Sequence, residues 1–185
     1  NTTTLYSARA VLNNGERNVM TREDPIEYVL DGSSQTQMHH KVGLTFAATL
    51  RAILRHDPDV VMVGEIRDLE TAKVAFEFAS TGRPVLSTVH TNSAAGAIQR
   101  LRDMGIEPYV LAATLKAVIA QRLVRKLCDH CKEPHPSTPE ELAMFGLQPG
   151  DAPQLWRPKG CMACGNSGYN GRLGVYELIT VDGGL

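Results

Sequence analysis

The segment DVVMVGEIRD, residues 59–68, contains four consecutive apolar residues after a polar turn. An apolar run of this length is typical of a β-strand that is buried on both faces. Glu65 follows the run closely, so the pattern predicts a carboxylate at the carboxyl end of the strand. Ligands of open α/β sheets bind at that edge, where an acid can hold Mg²⁺ or polarise a water molecule. A solvent-facing glutamate at a strand end explains Glu65 equally well on this run alone.

Helix-like and strand-like segments alternate along the rest of the chain. Strands that alternate with helices predict a mostly parallel sheet with helices on its faces, which is an α/β fold. The segment 108–127 is apolar over several faces and is predicted to form one long core helix. The other predicted helices are 44–58, 69–80 and 94–105, and the predicted strands lie near Val19, near Tyr28, in 59–68, in 83–91 and in 171–181, with a turn at Asp31 and Gly32.

Composition sets broad limits on the function. The chain has 185 residues and a formal net charge of −1, which suits one domain with a small appended module. This charge gives no indication of nucleic acid or an anionic membrane as the main partner. Every apolar run is shorter than the roughly 18 residues needed to span a bilayer. The chain begins without Met, which suggests that native sequence precedes it.

The four cysteines form two close pairs, Cys128 with Cys131 and Cys161 with Cys164. Two CxxC turns can place four thiolates about 2.3 Å from one zinc ion, which gives a structural site with no position open for catalysis. The connection between the pairs is longer than in the usual zinc ribbon, and the segment PEELAMFG within it predicts a helix. Redox-active or unused cysteines are the alternative.

Acidic residues follow a predicted strand in the segment TREDPIEY, residues 21–28. Carboxylates such as Glu23 and Asp24 at a strand end could bind a metal–phosphate group or activate water by accepting its proton. A solvated turn explains them equally well, and Pro25 favours such a turn.

His90 and four arginines are further candidates for a phosphate site. His90 follows a third apolar run, where the N–H groups of an imidazole could stabilise a γ-phosphate. A histidine of the core or of a strand end is the more ordinary explanation. Guanidinium groups can clamp phosphates or reach the nucleotide of a neighbouring subunit, and solvated ion pairs are the alternative. The four arginines are Arg51, Arg55, Arg67 and Arg100.

Four segments in this order resemble the ATPases of type II secretion and type IV pilus assembly, and the resemblance covers essentially the whole chain. It implies a RecA-like P-loop NTPase core, partial in this chain, with a mostly parallel sheet, flanking helices and a small inserted tetracysteine zinc module. The implied boundaries are 1–127 for the ATPase core, 128–164 for the zinc module and 165–185 for the return to the core. The segments are TREDPIEY, LTFAATLRAILRHDPDVVMVGEIRDLETA, VLSTVHTNSAAGAIQRLRDMGIEP and AQRLVRKLCDHCKEP with GCMACGNSGYNGRLGVYEL.

The resemblance also implies roles for individual residues. It places Glu23 and Asp24 in an aspartate box, with Glu23 as the group that activates water. Gly64 and Glu65 fall in a Walker B motif, where Glu65 acts near Mg²⁺ and the attacking water. His90 falls in a histidine box that reads the γ-phosphate. Arg51, Arg55, Arg67 and Arg100 match basic positions that act at phosphates or subunit contacts, and Cys128, Cys131, Cys161 and Cys164 match a zinc-binding motif.

The opening NTTTLY, residues 1–6, resembles the end of a phosphate-binding loop and the helix after it. Thr2 then takes the Mg²⁺-binding hydroxyl position, Thr3 the next position at the phosphates, and Asn1 stands where the lysine of the motif belongs. The chain lacks the loop glycines and that lysine, so we expect it to hydrolyse little or no ATP by itself. Arg22 stands where the family more often has an apolar residue, so we expect a locally frayed strand or a pairing of Arg22 with an acid.

The implied activity is that of a hexameric motor that hydrolyses ATP to power protein secretion or the assembly of a pilus or pseudopilus. Such a motor works at the cytoplasmic face of the bacterial inner membrane, associates with it peripherally and indirectly, and moves a membrane platform protein. The resemblance implies ATP, Mg²⁺ and Zn²⁺ as cofactors and no nucleic-acid partner. A zinc-stabilised docking module without catalysis is the alternative. The motifs are shared by secretion and pilus systems, and RLRDMGIEP slightly favours secretion.

Overall fold

A parallel four-stranded sheet lies in the first of two compact units. The computed structural model describes residues 2–39, 44–148 and 154–181, with the backbone alone for Thr2. The first unit comprises Asn1–Ala120 and Glu177–Leu185, and the second comprises Gln121–Tyr176. In the described part of the chain, none of the helices is long and apolar enough to cross a membrane.

The sheet has the strand order β2-β1-β3-β4, and all neighbours are parallel. Thr21 lies opposite Met62, and Met62 lies opposite Leu86. All four residues of β3 are buried, as the apolar run predicts. Because the strands are parallel, their carboxyl ends meet at one edge, where ligands of such sheets bind. The predicted mostly parallel sheet is confirmed, with strands β1 (Val19–Glu23), β2 (Ser34–Gln37), β3 (Val60–Val63) and β4 (Val85–Ser87).

Among the described residues of the first unit there are five α-helices, and three of them start at a residue whose side chain caps the helix. The N-cap oxygens of Thr45, Asp68 and Ser93 accept backbone N–H groups of the first turn and so satisfy donors that the helix leaves unpaired. The second and third helices pack together, and Leu50 and Ile53 are fully buried in the core. The helices are α1 (Thr2–Leu12), α2 (Phe46–Ile53), α3 (Leu69–Ala79), α4 (Ala94–Asp103) and α5 (Pro108–Thr114), and a 3₁₀ turn, Leu54–His56, follows α2.

The prediction of one helix over 108–127 is wrong. Helix α5 ends at Thr114, and strand β5 (Ala117–Leu127) takes the rest of the segment. The β-branched residues Val118, Ile119 and Val124 favour extended backbone, and β8 (Tyr169–Thr180) supplies a pairing partner. The segment is apolar on several faces because both faces of this two-stranded ribbon carry exposed apolar side chains, not because a helix is buried there.

The strand predicted near Tyr28 is also absent, since residues 24–33 form turns and irregular backbone. Pro25 offers no backbone N–H, and the backbone N–H of Tyr28 donates to the Tyr6 hydroxyl at 3.4 Å instead of to a strand. The turn at Asp31 and Gly32 is present and leads into β2. The segment 83–91 forms the predicted strand only over three partly buried residues.

The second unit contains most of the β5–β8 ribbon and a smaller hairpin-like pair. The ribbon is antiparallel, because Cys128 N donates to Gly168 O at 3.0 Å where β5 ends and β8 begins. Strand β6 (Glu133–His135) pairs antiparallel with β7 (Leu155–Arg157). Helix α6 (Pro139–Met144) is present where PEELAMFG predicts it, and Thr138 with Glu141 forms a capping box at its start. The unit therefore includes the 128–164 segment together with parts of both flanking strands.

Candidate functional site

Glycine at position 64 lets the ends of two central strands approach closely. Gly64 N donates to Arg22 O at 2.7 Å, just beyond the last residue of β3. A Cβ atom at position 64 would lie 3.2 Å from Arg22 O, which is tighter than ordinary contact, and 3.5 Å from Glu23 Cα. The close approach brings Glu65 beside the carboxyl end of β1, so a glycine here positions the first site carboxylate.

Glu65, His90 and Arg67 form a cluster at this edge of the sheet. Glu65 is 8 % exposed, its Oε2 lies 3.1 Å from His90 Nε2, and its Oε1 forms an ion pair with Arg67 NH2. The side chains of His90 and Arg67 are 81 % and 66 % exposed, so the buried carboxylate carries two solvent-facing partners. The hydrogen bond and charge of Glu65, and also the charge of Asp24, raise the pKa of the Arg67 guanidinium above its usual value. The structure thus brings together three residues predicted for the site.

Backbone contacts between the segments after β3 and β4 hold this cluster in place. Ile66 N donates to Thr88 O at 2.9 Å, and Thr88 Oγ1 donates to Gly64 O at 2.7 Å. These two bonds fix the segment that leads to His90 against the segment that carries Glu65. At the start of α4, Ala94 N donates to Glu177 Oε2 at 3.1 Å, so a residue of β8 also binds the helix that follows His90.

Glu23, the last residue of β1, is 3 % exposed and has several donors around its carboxylate. Oε1 accepts hydrogen bonds from Thr21 Oγ1 at 2.6 Å and Gln35 Nε2 at 3.0 Å, and Oε2 accepts one from the Tyr6 hydroxyl. Arg9 NH1 lies 3.8 Å from Oε1. Burial, followed by the hydrogen bond to Glu23, raises the pKa of Tyr6. Asp24, the next residue, is exposed at the same strand end.

The other predicted phosphate ligands lie apart from this cluster. Arg51 NH2 pairs with Glu70 Oε1 at 2.8 Å on the surface. Arg55 is exposed in the 3₁₀ turn that precedes the amino end of β3, which is the opposite edge of the sheet from Glu65. Arg100 is exposed in the last turn of α4, and Thr3 is exposed in the first turn of α1. Asn1 and the side chain of Thr2 lie outside the described residues.

The expectation for Arg22 is corrected by the structure. The strand is not frayed, because Arg22 pairs with Thr36 on β2 and with Val63 on β3. The Arg22 side chain is buried, and NH1 donates to Thr21 O at 2.7 Å and Thr36 Oγ1 at 2.8 Å, with no acid among its hydrogen-bond and ion-pair partners in the described residues. Its Nε has no partner, and burial lowers the pKa of Arg22 to about 10.

The four cysteine sulfurs form one cluster in the second unit. All four Sγ atoms lie within 4.8 Å of one another. The separations of Cys128 from Cys161, of Cys131 from Cys164 and of Cys161 from Cys164 are 4.0, 3.9 and 3.8 Å. Four thiolates at a zinc–sulfur distance of about 2.3 Å in a tetrahedron stand about 3.8 Å apart. The cluster therefore fits the coordination of one zinc ion by all four cysteines.

Backbone N–H groups stabilise charge on one of these sulfurs. Cys161 N and Gly168 N donate to Cys164 Sγ at 3.3 and 3.2 Å. Burial alone would raise the pKa of Cys164, but these hydrogen bonds lower it to about 6. Burial is also the main cause that raises the pKa of Cys131, to about 11. A metal site needs thiolates, and the N–H donors around Cys164 favour that form.

Glycines with positive φ shape the loop around the second cysteine pair. Gly160 has φ +108°, and a Cβ atom there would lie 2.7 Å from Asn166 O. Gly168 has φ +76°, and a Cβ atom there would lie 2.5 Å from Pro158 Cβ. Such backbone is available to glycine and strained for other residues. The glycines around CMAC thus allow the tight turn that returns Cys164 to Cys161.

Several residues of these sites are not predicted by sequence reasoning. Tyr6, Arg9 and Gln35 contact Glu23 from segments without a motif, and Thr88 and Glu177 anchor the segment around His90. No local pattern distinguishes these side chains from ordinary helix and strand residues. Their partners are 12 to 83 residues away in sequence, so only folding identifies them.

The two sites have different chemical capacities. At the sheet edge, exposed Arg67 and His90 beside a buried carboxylate can bind an anion and a cation together, as a metal-bound polyphosphate requires. The cysteine cluster offers four sulfur ligands, which complete the coordination of zinc. The first site is suited to nucleotide chemistry and the second to structural metal binding.

The parallel α/β sheet with its carboxylates at one edge has the architecture of a RecA-like ATPase core with flanking helices. The chain belongs to the family described as Type II/IV secretion system protein, whose sequence model matches residues 1–184.

Relatives and solved structures agree with this family. The type II secretion system protein E of Aeromonas hydrophila is 56 % identical over 180 residues, which cover 97 % of this chain and 36 % of the relative. That of Pseudomonas aeruginosa is 57 % identical over 181 residues, 98 % of this chain and 36 % of the relative. A crystal structure of the pilus retraction motor PilT with bound ADP has a TM-score of 0.67 and 32 % identity, and it covers 98 % of this chain and 44 % of PilT. The chain thus spans about a third of the length of these curated relatives.

Proposed function

We propose that this chain is the catalytic part of a motor ATPase that hydrolyses ATP to power type II protein secretion. The observation that carries the proposal is the cluster of Glu65, His90 and Arg67 at the carboxyl edge of a parallel sheet. Family membership supports a part in secretion, and the curated relatives named above are type II secretion proteins, which favours secretion over pilus extension.

Each residue of the cluster has a part in this proposal. Mg²⁺ would neutralise charge on the β- and γ-phosphates of ATP. Glu65 orients the metal-bound group and the attacking water, since its carboxylate lies at the base of the cluster. His90 donates an N–H to the γ-phosphate, and exposed Arg67 supplies positive charge beside it. Asp24 adds a second carboxylate at the end of β1, near enough that its charge acts on Arg67.

Other predicted residues take parts outside this cluster. The first turn of α1 binds the phosphates, through the Mg²⁺-binding hydroxyl of Thr2 and through Thr3. Arg51, Arg55 and Arg100 are exposed and serve contacts with neighbouring subunits of a homo-hexamer. The cysteines bind one structural zinc ion through Cys128, Cys131, Cys161 and Cys164.

The working protein is proposed to act as a ring at the cytoplasmic face of the inner membrane. The bound nucleotide favours one of two arrangements of the domains, and the movement between these arrangements is passed to a membrane platform protein. Within this ring, 1–127 and 165–185 form the ATPase core and 128–164 the zinc module. The 185 residues contain no glycine-rich loop ending in lysine, so this chain by itself is expected to hydrolyse little ATP.

The test is Mg²⁺-dependent ATP hydrolysis by the full-length protein that carries this chain. Hydrolysis that depends on Mg²⁺ and on Glu65 supports the motor. A full-length protein that binds zinc but never hydrolyses ATP, alone or with the platform protein, would instead favour a zinc-stabilised docking module.

A further inference from the structure

Strand β8 contributes a carboxylate to the start of helix α4. Ala94 is the first residue of α4, and its backbone N–H donates to Glu177 Oε2 at 3.1 Å, across 83 positions of sequence. Ala94 is fully buried, so solvent cannot replace this acceptor. The first N–H groups of a helix have no partner within it, and a negative charge is favoured at that end. Glu177 therefore satisfies a buried donor that the helix itself leaves unpaired.

The serine cap of the same helix serves a different donor. The Ser93 hydroxyl accepts the Gly96 N–H at 3.0 Å, and Thr91 Oγ1 donates to Ser93 O at 3.0 Å. A Cβ atom at position 96 would lie only 3.0 Å from Ser93 Oγ, so glycine leaves room for the cap. The cap thus binds the third N–H of the helix and leaves the first one, that of Ala94, to Glu177.

The segment that carries His90 is held at both of its ends. At the front, Thr88 binds the backbone of the segment after β3 through two hydrogen bonds, of 2.9 and 2.7 Å. At the back, the segment runs into α4, whose first N–H is bound by Glu177. The His90 side chain is 81 % exposed and meets Glu65 at 3.1 Å. Because so little packing surrounds this side chain, the two backbone anchors decide where the imidazole stands.

We propose that Glu177 is a positioning residue for His90. Its carboxylate fixes the first turn of α4 and, through that turn, the segment 88–93, so that the imidazole stands beside Glu65 and within reach of the γ-phosphate. Glu177 acts through the backbone of α4 and not through contact with the nucleotide. The inference rests on the proposed function, because that function assigns the γ-phosphate contact to His90.

The acceptor oxygen and the charge of Glu177 can be separated by substitution. Glutamine keeps an acceptor oxygen of similar reach and loses only the charge, whereas alanine removes the acceptor as well. Without an acceptor the buried N–H of Ala94 has no partner, which is costly, so the first turn of α4 opens or shifts towards water. Loss of the charge alone removes only an attraction to the helix dipole, which is a weaker effect.

The first experiment measures steady-state ATP hydrolysis by the full-length protein that carries this chain. We expect Glu177→Ala to lower kcat about tenfold, with the Mg²⁺-ATP concentration for half-maximal rate changed less than about threefold, since His90 acts on charge that develops at the γ-phosphate. Glu177→Gln should stay within about threefold of the parent in kcat. An alanine variant no slower than the glutamine variant would overturn the anchor.

Glu77→Ala is the matched control for these substitutions. It removes an exposed glutamate of α3 and should change kcat less than about twofold. Equal losses of kcat in Glu177→Ala and Glu77→Ala would show that the contact with α4 has no part in the reaction.

A double-mutant cycle with His90 distinguishes positioning from a general loss of stability. His90→Ala should lower kcat at least about tenfold. The variant that combines His90→Ala with Glu177→Ala should match His90→Ala within about twofold, because the anchor then has no imidazole to position. A merely structural Glu177 would lower kcat by the same further factor in both backgrounds, and that result would overturn the positioning role.

Amide hydrogen exchange of the same full-length variants gives a readout that does not need catalysis. Glu177→Ala should accelerate exchange in the first turn of α4 and in 88–93 about tenfold and leave α3 unchanged. If the parent protein hydrolyses no ATP, the proposed function fails, while the exchange result still decides whether Glu177 fixes this segment. Unchanged exchange at the start of α4 in Glu177→Ala would refute the anchor even in an active enzyme.

Discussion

His90 Nε2 lies 3.1 Å from Glu65 Oε2, although the two residues are 25 positions apart and follow different strands. The contact places an exposed imidazole directly on a buried carboxylate. Because Arg67 binds the other oxygen of the same carboxylate, both oxygens of Glu65 have a positively charged or donor partner. This arrangement supports the part in phosphate chemistry that we propose for Glu65.

Replacing Glu65 with glutamine should abolish most ATP hydrolysis by the full-length protein. The amide cannot accept the proton of water or bind a metal as a carboxylate does, so kcat should fall at least about 100-fold while nucleotide binding persists. Phosphate release at saturating Mg²⁺-ATP measures the effect.

Glu70→Gln is the control for this change. Glu70 is exposed and pairs with Arg51 on the surface, so its loss should alter the rate less than about twofold. Equal rates for Glu65→Gln and the parent would contradict the placement of Glu65 in the reaction.

The cysteine cluster should bind one zinc ion per chain under reducing conditions. Cys164→Ser removes a sulfur that receives two backbone N–H groups, and we expect the zinc content to fall below about half an equivalent. Elemental analysis after gel filtration measures the zinc content per chain.

His135→Gln is the control and should keep the zinc, because His135 Nε2 pairs with Glu141 at 3.1 Å and does not belong to the cluster. A parent protein with less than about half an equivalent of zinc would refute the site.

Two glycine substitutions should separate a steric effect from a conformational one. Both Gly160 and Gly165 have positive φ, but a Cβ atom at 160 would lie 2.7 Å from Asn166 O, whereas at 165 nothing lies within 4 Å. Gly165→Ala should weaken zinc binding about fivefold to tenfold, because an alanine in left-handed backbone costs about 1 kcal/mol. Gly160→Ala should weaken zinc binding at least about 100-fold, because the backbone at Asn166 must also move away from the new Cβ atom. Competition with a chromogenic chelator measures both, and equal effects would contradict the steric argument.

Replacing Arg22 with methionine should stabilise the ATPase core. Arg22 is buried, its Nε has no partner, and burial lowers its pKa to about 10. An apolar side chain of similar length avoids that cost, so we expect the free energy of unfolding to rise by about 1–3 kcal/mol. Thermal unfolding measures the change, and exposed Arg17→Met is the control with little expected effect. A lower melting temperature for Arg22→Met would show that the bonds to Thr21 O and Thr36 Oγ1 outweigh the buried charge.

Local sequence was sufficient where one short segment carries the whole signal. Four adjacent apolar residues predict β3, and the spacing within each CxxC pair predicts two thiolate turns. Prediction failed over 108–127, because apolar residues on several faces fit a buried helix and an exposed ribbon strand equally well. The partner strand β8, more than 40 residues later, decides between them.

The sequence by itself determined the α/β class and the residue types available for metal and phosphate, since these follow from hydrophobic period and motif spacing. Only the tertiary structure decided which of those residues meet. It joins Glu65 to His90, leaves Arg55 at the far edge of the sheet, and surrounds Glu23 with Tyr6 and Arg9. The physical reason is that burial and hydrogen bonding depend on neighbours distant in sequence, which a local pattern does not contain.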